Sequence, residues 1–269
     1  MNVLFLGTAA AEGFPAPFCG CKSCGRARAS GGKNLRLSSG GVLINGELMI
    51  DMPADITAMT QKFKLNLTGL KYVAVTHTHN DHFSPGFLNY NLPKYSVESQ
   101  PVIILGSPPA EAAFNKFNFE KRDFLEFKLI KPYSPVILNG CSVTALRANH
   151  DTEHSFLYLI EYGGGTYLHA TDTAYPHEDF FEYLKDKKVN IAAFDGTMGT
   201  RETTHPRHLN FNEAGEIAKR LKAQGTFSAA TKIFCTHFSH YINMTHAEIN
   251  AYLKKFGIKA AYDGLNIRL

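Results

Sequence analysis

Thr76-His77-Thr78-His79-Asn80-Asp81-His82 places three imidazoles and one carboxylate within His77 to His82, directly after the apolar run Tyr72 to Val75. Side chains alternate between the two faces of a strand and recur every three or four residues on a helix, so these four cannot share one direction on either. The backbone must turn sharply just after the strand and present them into a common space. His77 and His79 share a face if the chain stays extended to His79, while Asp81 and His82 fall on the turn that follows. Two ligand pairs at this density point to two metal ions. A lone histidine is more often a capping or hydrogen-bonding residue, and a polar loop carrying such histidines is the reading that the cluster argues against.

Working outward, 269 residues with 44% apolar composition, 12 Tyr and 20 Phe can fill a sizeable core. That length fits one large α/β domain over 1–269 better than two small ones. Net charge is +4, with no run of like charges long enough to make a polybasic arm. Nucleic acid is therefore not demanded, and a small anionic substrate is welcome. No apolar stretch approaches the roughly 20 residues of a membrane span, and Met1-Asn2-Val3-Leu4 enters a strand rather than a charged leader. The expectation is a soluble, cytoplasmic protein with no membrane partner. Sequence leaves the oligomeric state open, a homodimer included.

Of five cysteines, three stand together in Cys19-Gly20-Cys21-Lys22-Ser23-Cys24. They are too close to bridge one another without strain, so metal ligation is the better account. Such a loop wants one further ligand to close a tetrahedral zinc site, which stabilises a fold rather than catalyses. The surrounding Gly/Pro/Cys loop, Glu12 to Gly25, shows no core of its own, and a bound zinc would give it shape. Cys141 and Cys235 lie in apolar runs and read as inert core thiols.

Asn45-Gly46 between Gly40 to Ile44 and Glu47 to Asp51 is the strongest hairpin signal in the chain. Asp51-Met52-Pro53 reads as the opening of a helix through Lys62, with Asp51 either its cap or an orienter of a metal ligand. Ser84-Pro85 and Ser107-Pro108-Pro109 open two more helices, the second running to about Asn118. The strands Cys141 to Arg147 and Ser155 to Tyr162 flank Asn149-His150-Asp151-Thr152-Glu153-His154, where His154 reads as a pocket or core histidine. A Gly163-Gly164-Gly165 turn leads into a strand ending in Thr171-Asp172-Thr173. His169 inside that strand reads as a packed residue, and Asp172 as a ligand or as the cap of a helix over Pro176 to Leu184. Val189 to Phe194 ends in Asp195-Gly196-Thr197 and a long polar loop containing His205-Pro206-Arg207-His208, the kind of segment that carries substrate contacts. The last central strand, Lys232 to Cys235, releases Thr236-His237-Phe238-Ser239-His240.

His77-x-His79-x-Asp81-His82 resembles the His-x-His-x-Asp-His signature of metallo-β-lactamase-fold hydrolases. The resemblance implies an α/β fold, a four-layer αββα sandwich with the metals at one edge of the two sheets. It implies that the site is completed by His150 (rather than His154), by Asp172 bridging both ions, and by His237. Cys19-x-Cys21-x-x-Cys24 together with Thr236-His237-x-Ser239-His240 is similar to the phosphoribosyl cyclic phosphate phosphodiesterases and their relatives in pyrroloquinoline quinone biosynthesis. That likeness implies a structural zinc held by Cys19, Cys21, Cys24 and His240. It also implies His208 and Asp81 as catalytic residues, His208 protonating the leaving group, although Pro206-Arg207-His208 lacks one residue of the family's Pro-Arg-x-His pattern and leaves His205 as the alternative. The expected activity is hydrolysis of a small, cyclic ribosyl-type phosphodiester by a hydroxide bridging two divalent ions, zinc, manganese or iron. Hydrolysis of a lactone, a thioester or an RNA phosphodiester, or a role in quinone-cofactor synthesis, are the competing readings. The tRNA-cleaving branch is disfavoured because no basic arm is present to grip RNA.

Overall fold

Asn45 and Gly46 both take positive φ, 54° and 75°, the central pair of a turn closed by the Glu47 amide donating to the Ile44 carbonyl at 3.0 Å. They join β2 (Val42–Ile44) to β3 (Leu48–Ile50), and β1 (Asn2–Phe5) pairs antiparallel on the other side of β2. From β3 onward the pairing becomes parallel through β4 (Tyr72–Ala74), β5 (Val102–Gly106) and β6 (Leu125–Leu129). The second half repeats this plan: β7 (Val136–Leu138), β8 (Cys141–Arg147), β9 (Phe156–Tyr162) and β10 (Gly165–Ala170) form an antiparallel meander. Then β11 (Ile191–Asp195), β12 (Lys232–Thr236) and β13 (Lys259–Ala260) add in parallel, and β14 (Asn266–Arg268) returns to β1. The computed structural model describes residues 1–269 apart from 39, 40, 121, 152, 153 and 203–206. Among the described residues these strands make two seven-stranded sheets.

Three apolar layers hold the sheets and helices together. Between the sheets Phe5, Val42, Ile44, Tyr158, Ile160 and Tyr167 are buried against one another. Outside the first sheet, Leu6, Met49, Val73 and Ile104 pack under α2 (Ile56–Phe63) and α3 (Pro108–Asn115). Outside the second, Leu159, Leu168 and Phe194 pack under α4 (Glu178–Leu184), α5 (Phe211–Ala223) and α6 (His246–Leu253). Helix, sheet, sheet, helix is the expected αββα order, and each layer buries one apolar face of its neighbour. Among the described residues no helix is long and apolar enough to cross a membrane.

Several element boundaries differ from the sequence reading for identifiable reasons. The helix predicted to open at Asp51 begins at Ile56, because Asp51 takes φ 61° at the end of β3 and turns its carboxylate inward instead of capping. The segment after Ser84 is a 3₁₀ helix, Pro85–Asn91. Helix α3 stops at Asn115, and Phe119 folds back to stack on Phe114 with ring centres 4.9 Å apart. A helix unmarked in the sequence, α1 (Lys22–Ser30), starts inside the cysteine loop, with the Cys21 sulfur accepting from the Cys24 amide. That loop also has a small core after all, Ala9, Phe14, Ala16, Cys24 and Ala27. The capping boxes Asn210/Glu213 and Thr245/Glu248 are both formed and start α5 and α6.

Parallel pairing aligns the carboxyl ends of β3 with β4 and of β10 with β11 and β12, and β8 runs in the same direction as β10 through two antiparallel steps. Asp51, Thr76, His150, Asp172, Asp195 and His237 follow or terminate those strands. The two sheets are tied at this edge by the Phe156 amide donating to the Thr76 carbonyl at 2.9 Å and the Tyr158 hydroxyl donating to Val75 at 2.6 Å.

Candidate metal centre

Thr76 leaves β4 with its amide and hydroxyl both donating to the Asp51 carboxylate, at 2.7 and 2.8 Å. Its single hydroxyl proton is thereby directed at Asp51, so at 3.0 Å it can only accept from Nδ1–H of His77. Nδ1 of His82 lies 2.7 Å from the same buried carboxylate. The Thr197 hydroxyl repeats the device at His237, donating to the His237 carbonyl at 2.9 Å and accepting from Nδ1 at 2.6 Å. Nδ1 of His150 donates to the Arg207 carbonyl at 3.0 Å. With Nδ1 engaged in each of these four rings, the basic Nε2 is left for the centre, the arrangement by which an outer partner fixes the tautomer of a metal-binding histidine.

The inward atoms converge. Nε2 of His77 is 2.9 Å from Nδ1 of His79, and ligand-type atoms of His77, His79 and His150 lie within 4.8 Å of one another. A second group, Asp81, His82 and His237, meets the same limit. Asp172 stands between them: its Oδ2 is 3.3 Å from His82 Nε2, its Oδ1 is 3.2 Å from His237 Nε2, and it also groups with His77. Asp172, His237 and Asp51 all take left-handed φ, 54°, 60° and 61°. Asp and His tolerate that region better than most residues, and the turns it makes swing these side chains off the strand ends into the centre.

The electrostatics mark the centre as a cation site. Burial opposes charge on His82 and His237, yet Asp172 and Asp81 outweigh it, holding His82 well above the usual histidine value and His237 at about 9. Burial also opposes ionisation of Asp81, but His82 and His237 beside it hold its carboxyl far below the ordinary range. His77 is pushed well below its ordinary value by burial and by the neighbouring His82, His150 and His79. Meanwhile His150 Nε2, His237 Nε2 and Asp172 Oδ2 are buried without a hydrogen-bond partner among the described residues. Orphaned polar atoms of this kind are costly unless something binds them. Divalent cations fit: they take the lone pairs and replace the protons that the carboxylates otherwise hold on the imidazoles.

His208 enters from the loop before α5. Its Nδ1 lies 2.9 Å from Oδ2 of the fully buried Asp195, and its ring stacks 5.5 Å from His237 and stands 5.2 Å from His150. Burial lowers the His208 pKa, but the charge and hydrogen bond of Asp195 prevail and raise it. His205, the alternative, lies outside the described residues. His154 is exposed on the turn before β9 and is therefore not a core histidine. His169 is packed as expected, between the Tyr167 and Thr171 hydroxyls at 2.9 and 2.8 Å. Sequence reasoning missed Thr76, Thr197 and Asp195 as partners; a strand-end Asp-Gly-Thr was a usable signal for the last two, whereas the Arg207 carbonyl had none.

Cys19, Cys21, Cys24 and His240 form a separate cluster with ligand-type atoms within 4.8 Å. Sulfurs of Cys19 and Cys21 lie 3.5 and 3.7 Å from His240 Nδ1, close to the edge of about 3.5 Å expected for a tetrahedron with Zn–S near 2.3 Å and Zn–N near 2.0 Å. Backbone N–H donation from Cys24, together with His240, brings the Cys21 thiol down to about 6, while burial lifts Cys24 to about 11. Pairing of Ala10 and Phe238 through their backbones carries the cysteine loop to His240. Cys141 and Cys235 are buried, and burial pushes Cys141 up to about 12 and Cys235 higher.

Residues 49–238 match the family described as beta-lactamase superfamily domain. Among solved structures, a new diphosphatase from the PhnP family is 22% identical, with 100% of this chain and 97% of that one covered and a TM-score of 0.78. Zn²⁺-bound PqqB from Methylobacterium extorquens is 22% identical over 100% of both chains, TM-score 0.76. The short form of human tRNase Z is 19% identical over 100% and 99%, TM-score 0.68. No curated protein matches the chain by sequence.

Proposed function

The chain belongs to the beta-lactamase superfamily and has the metallo-β-lactamase fold, and on that footing we propose that it is a binuclear-metal-dependent phosphodiesterase acting on a small anionic phosphodiester of the cyclic ribosyl type. The observation that supports it most is Asp172, whose oxygens lie 3.3 and 3.2 Å from His82 and His237 of the second ligand group and which also lies within 4.8 Å of His77 of the first. His77, His79 and His150 would hold one ion, Asp81, His82 and His237 the other, and Asp172 both. Ions bound there would supply Lewis acidity toward the phosphoryl oxygens and a strongly nucleophilic water at neutral pH. Asp51, Thr76, Thr197 and the Arg207 carbonyl keep the imidazoles in the ligating tautomer. His208, protonated and aimed by Asp195, gives a proton to the departing oxygen. Likeness in fold to a PhnP-family diphosphatase and to a tRNase fits phosphoryl chemistry, and the substrate class rests on the motifs named above.

The test is a turnover panel with the metal-loaded protein: bis(p-nitrophenyl) phosphate, ribose 1,2- and 2′,3′-cyclic phosphates, a lactone and a thioester. Turnover of the diesters with none of the acyl substrates is expected. The reverse pattern would exclude phosphodiester hydrolysis as the main activity.

In the same reading, Cys19, Cys21, Cys24 and His240 hold a structural zinc. Cys21→Ser and His240→Ala should each remove one zinc and lower the melting temperature without first abolishing turnover, since a closed site contributes folding free energy rather than an open coordination position. Zinc stoichiometry read beside calorimetry checks this. Two variants with unchanged zinc content and melting temperature would remove the structural site.

A further inference from the structure

Four of the five clustered histidines are held at Nδ1 by Thr76, Asp51, Arg207 or Thr197. His79 is the exception in both respects. It turns Nδ1 toward Nε2 of His77, at 2.9 Å, so its outward atom is Nε2. Facing that atom is Oδ1 of Asp151, at 4.0 Å. Asp151 is itself gripped, Oδ2 lying 2.9 Å from Arg207 Nη1, and Oδ1 stands 3.0 Å from Nε2 of His150 without the alignment of a hydrogen bond. The same Arg207 offers its carbonyl to His150 Nδ1. One acid and one base from two different loops thus reach the first ligand group from outside, His79 through the Asp151 side chain and the buried His150 through the Arg207 backbone.

We propose that Asp151, pinned by Arg207, is a positioning residue for the first ion: it accepts a hydrogen bond from His79 Nε2–H as that ring settles on the ion through Nδ1, and so sets the affinity of this site without entering it. The movement required is small, because only the 4.0 Å gap to His79 has to close and the His79 side chain is 45% exposed. The inference rests on the binuclear reading and extends it to a residue outside the His-x-His-x-Asp-His motif. Outer partners of metal ligands are typically worth 10- to 100-fold in affinity.

The experiment is titration of chelator-treated protein with Co²⁺, whose visible spectrum separates imidazole and carboxylate coordination from thiolate coordination. Asp151→Ala should weaken one of the two imidazole-bound ions by 10- to 100-fold and leave the other and the thiolate site unchanged. Asp151→Asn should recover most of that loss, since its amide oxygen still accepts from His79. Unchanged affinities in Asp151→Ala, or an Asp151→Asn variant as impaired as the alanine, would overturn the inference; the second result would make Asp151 a direct anionic ligand. Uptake of fewer than two such ions by the unsubstituted chain would overturn the binuclear reading and this inference with it, a result distinct from two tight ions that ignore Asp151.

Discussion

Asp172→Ala is expected to release both catalytic ions together and reduce turnover to background while the thiolate-bound zinc remains. Every imidazole of the centre belongs to one group or the other, but Asp172 approaches His82 through Oδ2 and His237 through Oδ1, and it also meets His77. Removing a shared carboxylate subtracts one anionic ligand from each coordination shell at once. It also leaves His82 and His237 without the carboxylate that most raises them against burial. The fold should survive, because Asp172 sits on the turn after β10 and its amide, donating to Asp195 at 3.0 Å, is unaffected by the substitution. The informative contrast is His150→Ala, which touches one group alone and should cost one ion. Metal content after desalting distinguishes the two variants: a full complement in Asp172→Ala, or losses equal to those of His150→Ala, would refute a shared carboxylate.

How much of this centre was legible in the sequence depended on where the chemistry is encoded. His77 to His82 sit in one turn, so spacing alone announced them, and the strand-end context of Asp172 and His237 made them recoverable once a family pattern was in hand. The layer order came from the family resemblance rather than from patterning, and the structure builds it by burying apolar sheet faces against each other and under helices. Harder were features that depend on backbone direction. Asp51 sits two residues before Pro53 and looked equally like a cap; only its left-handed φ shows that the carboxylate turns inward to Thr76 and His82. Helix α1 was hidden because Gly and Ser within Lys22–Ser30 weaken helical propensity, and what starts it is a thiol accepting from a backbone amide. The Asp195–His208 contact joins a strand end to a loop 13 residues later, and nothing in spacing predicts that such a loop folds back.

His208→Ala should lose roughly 10²- to 10⁴-fold in turnover of a cyclic ribose phosphate, the usual worth of a general acid, yet far less with bis(p-nitrophenyl) phosphate. Ions held by the centre would supply charge stabilisation and a nucleophilic water, but an alkyl alkoxide is too basic to depart well unprotonated, whereas p-nitrophenolate needs no proton. In the proposed role His208 gives one: Asp195 accepts from its Nδ1 at 2.9 Å, and that buried carboxylate raises the imidazole above its ordinary pKa against the opposing effect of burial. The sign follows. A raised value moves the loss of the His208 proton to higher pH than for an ordinary histidine, so the alkyl-ester activity should decline at a correspondingly higher pH, as His208 itself loses its proton. Asp195→Asn removes the charge that sustains this, and should shift that decline to lower pH while retaining the ring. Metal content must be unchanged in His208→Ala for the comparison to hold. Equal losses on the two substrates would take the proton donor's role from His208, and the selective loss appearing in His205→Ala instead would pass that role to His205 of the same loop.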